Sequence, residues 1–175
     1  MIRTRVAPGA VAVVVVALTA GTAASSQTVD RAHLVRGLIQ LDEAGLDGSR
    51  WTYGRLRGRI VLVDFWATWC APCLRELPYL RRARARYGDE FEVLGVSLDT
   101  MPSRALAEWA RRNDVEWPQI HADGGYDDPL ARTFGIDRIP INLLLDPDGR
   151  LRDINVRGNA LFDAIDRIRA ERRTR

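Results

Sequence analysis

Apolar positions along the 175-residue chain fall into two kinds of pattern. Three stretches are continuous: "RIVLVDFW" (Arg59 to Trp66), "FEVLGVSLD" (Phe91 to Asp99) and "INLLLD" (Ile141 to Asp146). Apolar runs of this length, rich in β-branched residues, are strands buried on both faces. Elsewhere the spacing is helical. Leu74, Leu77, Leu80 and Ala83 predict a helix over Ala71 to Tyr87, closed by Gly88 as a C-cap. Pro78 lies inside it, cannot donate to the carbonyl of Leu74, and must kink the axis. Pro102, in a first turn, opens a second helix to about Asn113, with Leu106, Trp109 and Ala110 on its apolar face. "DDPLARTFG" predicts a shorter helix with Asp128 as N-cap and Pro129 at the first helical position. "DPDG" is a turn into an antiparallel partner, "RLRDINV", and Asn159 to Arg172 form a last amphipathic helix. Upstream, residues 29–57 are irregular. Short alternations around "LDG" within "LIQLDEAGLDGSRWTYGRLRG" predict a hairpin.

From residue 59 onward the order is therefore β-α-β-α-α-β-β-α. A helix joins the first two strands, which makes them parallel, while the last two strands form a hairpin. The result is an α/β domain: a mixed central sheet flanked by helices, preceded by a β-hairpin extension. The length suits one domain over residues 29–175, and no internal repeat is visible.

The N-terminus departs from this pattern. Arg3 and Arg5 precede an apolar centre at Val11 to Leu18, and small residues follow in "GTAASS". This is the layout of a secretory signal cut after Ala23 or Ala24. An uncleaved anchor is the rival, since about 20 weakly apolar residues can just span a bilayer. Either form places the rest of the chain outside the cytoplasm. Removing residues 1–24 takes away two arginines and lowers the net charge from +3 to +1. The remaining domain is close to neutral, which argues against a nucleic-acid partner. Every basic residue other than histidine is arginine. The cluster "RRARARYGD" (Arg81 to Asp89) is most simply the solvated face of a helix, with a docking patch for an acidic partner as the alternative.

Both cysteines of the chain, Cys70 and Cys73, lie in "VDFWATWCAPC". A c-type haem site would need histidine at position 74, which is leucine. Structural zinc would need two more ligands nearby, and the two histidines, His33 and His121, are distant in sequence and unpaired. No cofactor and no metal are expected. A redox dithiol fits the setting better. Cys70 falls where a strand gives way to a helix, so free N–H groups favour its thiolate, which is expected to be exposed. Cys73, one turn later, would resolve a mixed disulfide. Asp64 lies on the strand before them; buried there, its pKa would rise and it could carry the proton of Cys73. Trp66 and Trp69 would cover the site or belong to the core.

"VLVDFWATWCAPC" resembles the active-site strand and turn of the thioredoxin superfamily, and more narrowly the extracytoplasmic TlpA/ResA-like thiol–disulfide oxidoreductases. The similarity continues through "LRELP", "VLGVSLD", "GIDRIPINLLLDPDGRL" and "VRG", and covers about residues 54–170. It implies a thioredoxin fold, with Ile139–Pro140 as the cis-proline loop beside the cysteines where a substrate chain pairs. It places Trp69, Ile139 and Pro140 at the substrate and links Glu76 to active-site proton chemistry. It implies disulfide-containing clients such as apocytochrome c or a copper-site protein, and a membrane electron donor. The chain departs from the ResA-like branch in having Asp64 where asparagine is commoner, and isoleucine after Pro140 where threonine is usual. Ala71–Pro72 offers the Cys70 thiolate no charge or donor of the kind that makes a strong oxidant, so a reducing couple is expected. Two other readings stay open: a thiol peroxidase of related fold, although Thr68 stands two residues before Cys70 and not three, and a Cu(I)-binding module using the two thiolates.

Overall fold

A computed structural model describes residues 30–174; the expected export segment at 1–24 lies outside the described residues. The chain begins with helix α1 (Arg31–Gln40), whose first turn is capped by the Asp30 carboxylate accepting from the Ala32 amide. A short antiparallel hairpin follows, β1 (Asp42–Ala44) and β2 (Arg50–Thr52). The hairpin was expected; the helix before it was not. Leu34 and Leu38 bury one stripe of α1, and between them Gly37 admits the ring of Phe134. A Cβ at position 37 would come within 2.5 Å of that ring. Glycine ordinarily weakens a helix, so here a close approach hides the helical signal.

Next come β3 (Ile60–Trp66), α2 (Ala71–Leu74), α3 (Leu77–Tyr87) and β4 (Phe91–Ser97). After these lie α4 (Ser103–Arg112), β5 (Gln119–His121), α5 (Pro129–Phe134), β6 (Ile141–Leu145), β7 (Leu151–Ile154) and α6 (Asn159–Arg173). The five strands from β3 onward form one sheet in the order β5-β4-β3-β6-β7. β3, β4 and β5 run parallel, while β6 and β7 are antiparallel to their neighbours. This is the expected mixed sheet with one addition, the three-residue edge strand β5. The expected single helix over 71–87 is two helices, broken at Arg75–Glu76, with Pro78 in the first turn of the second. That is where a proline costs no helical hydrogen bond. Pro102 caps α4 from just outside instead of occupying its first turn. Asp128, Pro129 and Gly88 take the expected cap positions.

β3 is central and fully buried. Alternation along the strand sends Val61, Val63 and Phe65 to a core shared with α1, the hairpin and α5. Ile60, Leu62 and Trp66 enter the opposite core, formed with α3, α4 and α6 and containing both cysteines. Asp64 has the parity of this second set, which puts its carboxyl on the cysteine side of the sheet. Gly95 lies opposite Asp64 in β4 and leaves room for Gln119, whose Oε1 accepts from the Trp66 indole at 2.8 Å. Trp66, which also packs on Trp109, is thereby fixed as a core residue.

The arginines of α3 are held by the protein itself. Arg81 donates to the carbonyls of Asn113 and Asp114, Arg82 lies over Tyr79, and Arg84 and Arg86 pair with Glu92 and Asp166.

Candidate active site around Cys70 and Cys73

Because β3 and β4 are parallel and in register from Ile60–Phe91 to Trp66–Ser97, their C-terminal ends lie side by side. The segment leaving β3, Ala67 to Trp69, is anchored there. Asp99, buried at the end of β4, accepts from the Thr68 amide at 2.9 Å, the Thr68 hydroxyl at 2.6 Å and the Ser97 hydroxyl at 2.7 Å. Its backbone carbonyl accepts from His121 Nε2, and His121 Nδ1 pairs with the Ser103 hydroxyl. Three donors converge on the Asp99 carboxylate, two of them from Thr68, two residues before Cys70. Replacing Asp99 by alanine leaves them unsatisfied in a buried position and is expected to destabilise the protein by about 2–4 kcal/mol. A lower denaturant midpoint at unchanged m-value is the expected readout; an unchanged midpoint would show that the anchor contributes nothing.

Cys70 caps α2, and its sulfur accepts from the Cys73 amide at 3.3 Å. The two cysteines form a disulfide with Cα atoms 5.3 Å apart. The expectation of an exposed sulfur at position 70 is corrected for this oxidised state: Cys70 is 4% and Cys73 3% exposed. In the disulfide both cysteines pack in the core that also holds Trp66, Ala67 and Leu77. The exposed residues are the flanking ones, Trp69, Ala71 and Pro72. The source of thiolate stabilisation also changes. A four-residue α2 carries little macrodipole, so the local Cys73 N–H does what a long helix was expected to do.

Ile139–Pro140 is a cis peptide bond, as the resemblance implied. Ile139 is half-buried and packs against the core that contains both cysteines. The Pro140 carbonyl accepts from Arg157, whose guanidinium also reaches Asn155. Asp64 is 7% exposed. Burial pushes its pKa up to about 7; the positive charge of Arg157 opposes the shift and the negative charge of Glu76 adds to it. Glu76 lies at the break between α2 and α3, and its carboxylate accepts from the Gly158 amide at 2.8 Å. It is therefore a tie between the α2–α3 junction and the start of α6, and it acts on Asp64 electrostatically. Asp64, Glu76, Arg157 and Pro140 thus form one cluster.

Two members of this site had no local signal. Arg157 finds Pro140 and the field of Asp64 only through the fold. Asp99 could have been inferred from topology, since the carboxyl ends of adjacent parallel strands build sites. Trp69 is 60% exposed and so lies on the surface, where it can meet another molecule.

The fold and the site define a thioredoxin-fold protein with a redox-active cysteine pair. The chain belongs to the AhpC/TSA family, whose model matches residues 38–154. It is similar to the thiol-disulfide oxidoreductase ResA of Bacillus thuringiensis subsp. konkukian, 27% identical over 107 residues, covering 61% of this chain and 60% of that protein. The ResA of Oceanobacillus iheyensis is 30% identical over 130 residues, covering 74% of this chain and 65% of the relative. The chain therefore spans somewhat under two thirds of the length of these relatives. Among solved structures, a thiol-disulfide oxidoreductase from Bacteroides fragilis superposes with a TM-score of 0.65 at 27% identity, covering 73% of this chain and 95% of that one. DsbF of MTB superposes with a TM-score of 0.61 at 27% identity, covering 75% and 97%.

Proposed function

We propose that the chain is a thiol–disulfide oxidoreductase that reduces disulfides of proteins outside the cytoplasm. The observation that carries this reading is the Cys70–Cys73 disulfide capping a helix, with the cis-Pro140 loop packed against the same core. In the reduced protein the Cys70 thiolate attacks one sulfur of a client disulfide. A Cys70–client bond forms and the second client sulfur leaves as a thiolate, which takes up a proton. Cys73 gives its proton to Asp64, then attacks Cys70; the Cys70–Cys73 disulfide forms and the first client sulfur leaves and is protonated in turn. Two electrons have passed to the client; of the two protons it takes up, one comes from Cys73 by way of Asp64 and the other from solvent. A membrane dithiol donor restores the reduced pair.

The N-terminal segment supports the location. The clients on this reading are exported proteins whose paired cysteines must be kept reduced, apocytochrome c among them. Ala71 and Pro72 supply no donor to hold the reduced form, which supports the direction of electron flow. Equilibration with defined glutathione ratios tests that direction. The expected midpoint is more negative than about −200 mV; one near about −120 mV, the range of a strong oxidant, would reverse it. The peroxidase reading needs a free hydroxyl beside the reactive sulfur, and the Thr68 hydroxyl is committed to Asp99.

A further inference from the structure

Among the described residues, three large hydrophobic side chains are exposed: Ile39, Trp69 and Tyr126. Two of them are together. The rings of Trp69 and Tyr126 meet edge to face with centroids 6.4 Å apart, although 57 positions separate them in sequence. Tyr126 is 39% exposed and comes from the turn before α5. That turn is stapled by Asp128, whose carboxylate accepts from the amides of both Gly124 and Leu130. Gly125 adopts φ +63° there and approaches the Leu98 carbonyl, so the turn sits on the end of β4. Trp69 is held from the other side, because Asp99, one residue beyond Leu98, binds Thr68 through both amide and hydroxyl. Both aromatic rings are therefore presented by rigid backbone, the condition under which an exposed ring contributes most to binding.

Resting on the exchange reaction above, we propose that Trp69 and Tyr126 form a surface that selects clients carrying a bulky apolar side chain next to the reacting cysteine. The occupant follows from continuity with the reaction centre. A client must bring its sulfur to Cys70, the residue bonded to Trp69, so the client residues flanking that sulfur must cross the aromatic pair. Aliphatic and aromatic side chains gain from burying that surface, whereas serine does not.

Two synthetic peptides test this, each with one cysteine held as a mixed disulfide with glutathione. In one, leucine flanks the cysteine on both sides; in the other, serine does. Second-order rate constants with the reduced full chain are read by acid quench and mass spectrometry. The expected preference of the wild type for the leucine peptide is about tenfold. Tyr126→Ser is expected to bring the ratio to within about twofold, and Tyr126→Phe, which keeps the ring, to retain it. A wild-type ratio near one, or a ratio that Tyr126→Ser does not move, overturns the aromatic surface while leaving the exchange reaction standing. Failure of the wild type to react with either peptide overturns the exchange reading, and this inference with it.

Discussion

Cys70→Ser is expected to lower disulfide reduction by on the order of 10³-fold or more, because a serine hydroxyl does not ionise near neutral pH and forms no exchangeable bond to sulfur. Cys73→Ser is expected to give a different failure. The first step survives, since Cys70 keeps its place at the cap of α2 and the position 73 amide still donates to its sulfur. The second step is lost, and a mixed disulfide with the client accumulates on Cys70. Non-reducing electrophoresis of the variant expressed from the full-length sequence, followed by mass spectrometry of the adduct, reads this directly and names the client. Equal loss in both variants with no adduct in Cys73→Ser would contradict the assigned order of attack.

Asp64→Asn is expected to have the second largest effect, on two separate readouts. Asp64 has a pKa of about 7 in the folded protein against an ordinary 3.8, because burial disfavours its charge. Between those values the folded chain binds a proton that the unfolded chain has released. The contribution of Asp64 to the stability of the oxidised fold is therefore fully present below about pH 4 and is lost as the pH rises through 7. The upper bound on that loss is about 4 kcal/mol. Asparagine removes the titration, so Asp64→Asn should be more stable than wild type at pH 8 by up to that amount and show a flatter profile between pH 4 and 8. The same variant lacks the proton acceptor for Cys73, and its mixed disulfide should resolve about 10²-fold more slowly near pH 7. Parallel pH profiles of wild type and variant that never diverge would remove Asp64 from the mechanism.

Much of this was legible because the signals are local. The apolar run of β3, the Cys70–Cys73 spacing and the proline and aspartate that open α5 each lie within a few residues of the structure they specify. The burial of Asp64 was legible for the same reason, since a single acid inside "VLVDFW" has apolar neighbours on both sides. What escaped depends on distant contacts. α1 is helical despite Gly37 because Phe134, nearly a hundred residues later, fills the space a side chain would take. β5 is three residues long and is recognisable only by its pairing with β4. The tie that Glu76 makes is visible only once Gly158, 82 positions away, is placed against it. The aromatic pair at the mouth of the site is of the same kind. Tyr126 has no motif around it, and only the packing of its turn on the end of β4 brings it to Trp69.

Pulse alkylation of the fully reduced chain with limiting iodoacetamide, from pH 4 to 9, with the labelled site assigned by mass spectrometry, is the most direct test. Label is expected on Cys70 alone, with half-maximal reactivity well below the ordinary thiol value of about 8.5. Preferential labelling of Cys73, or a Cys70 that ionises at or above the ordinary value, would contradict a nucleophile activated at the head of α2.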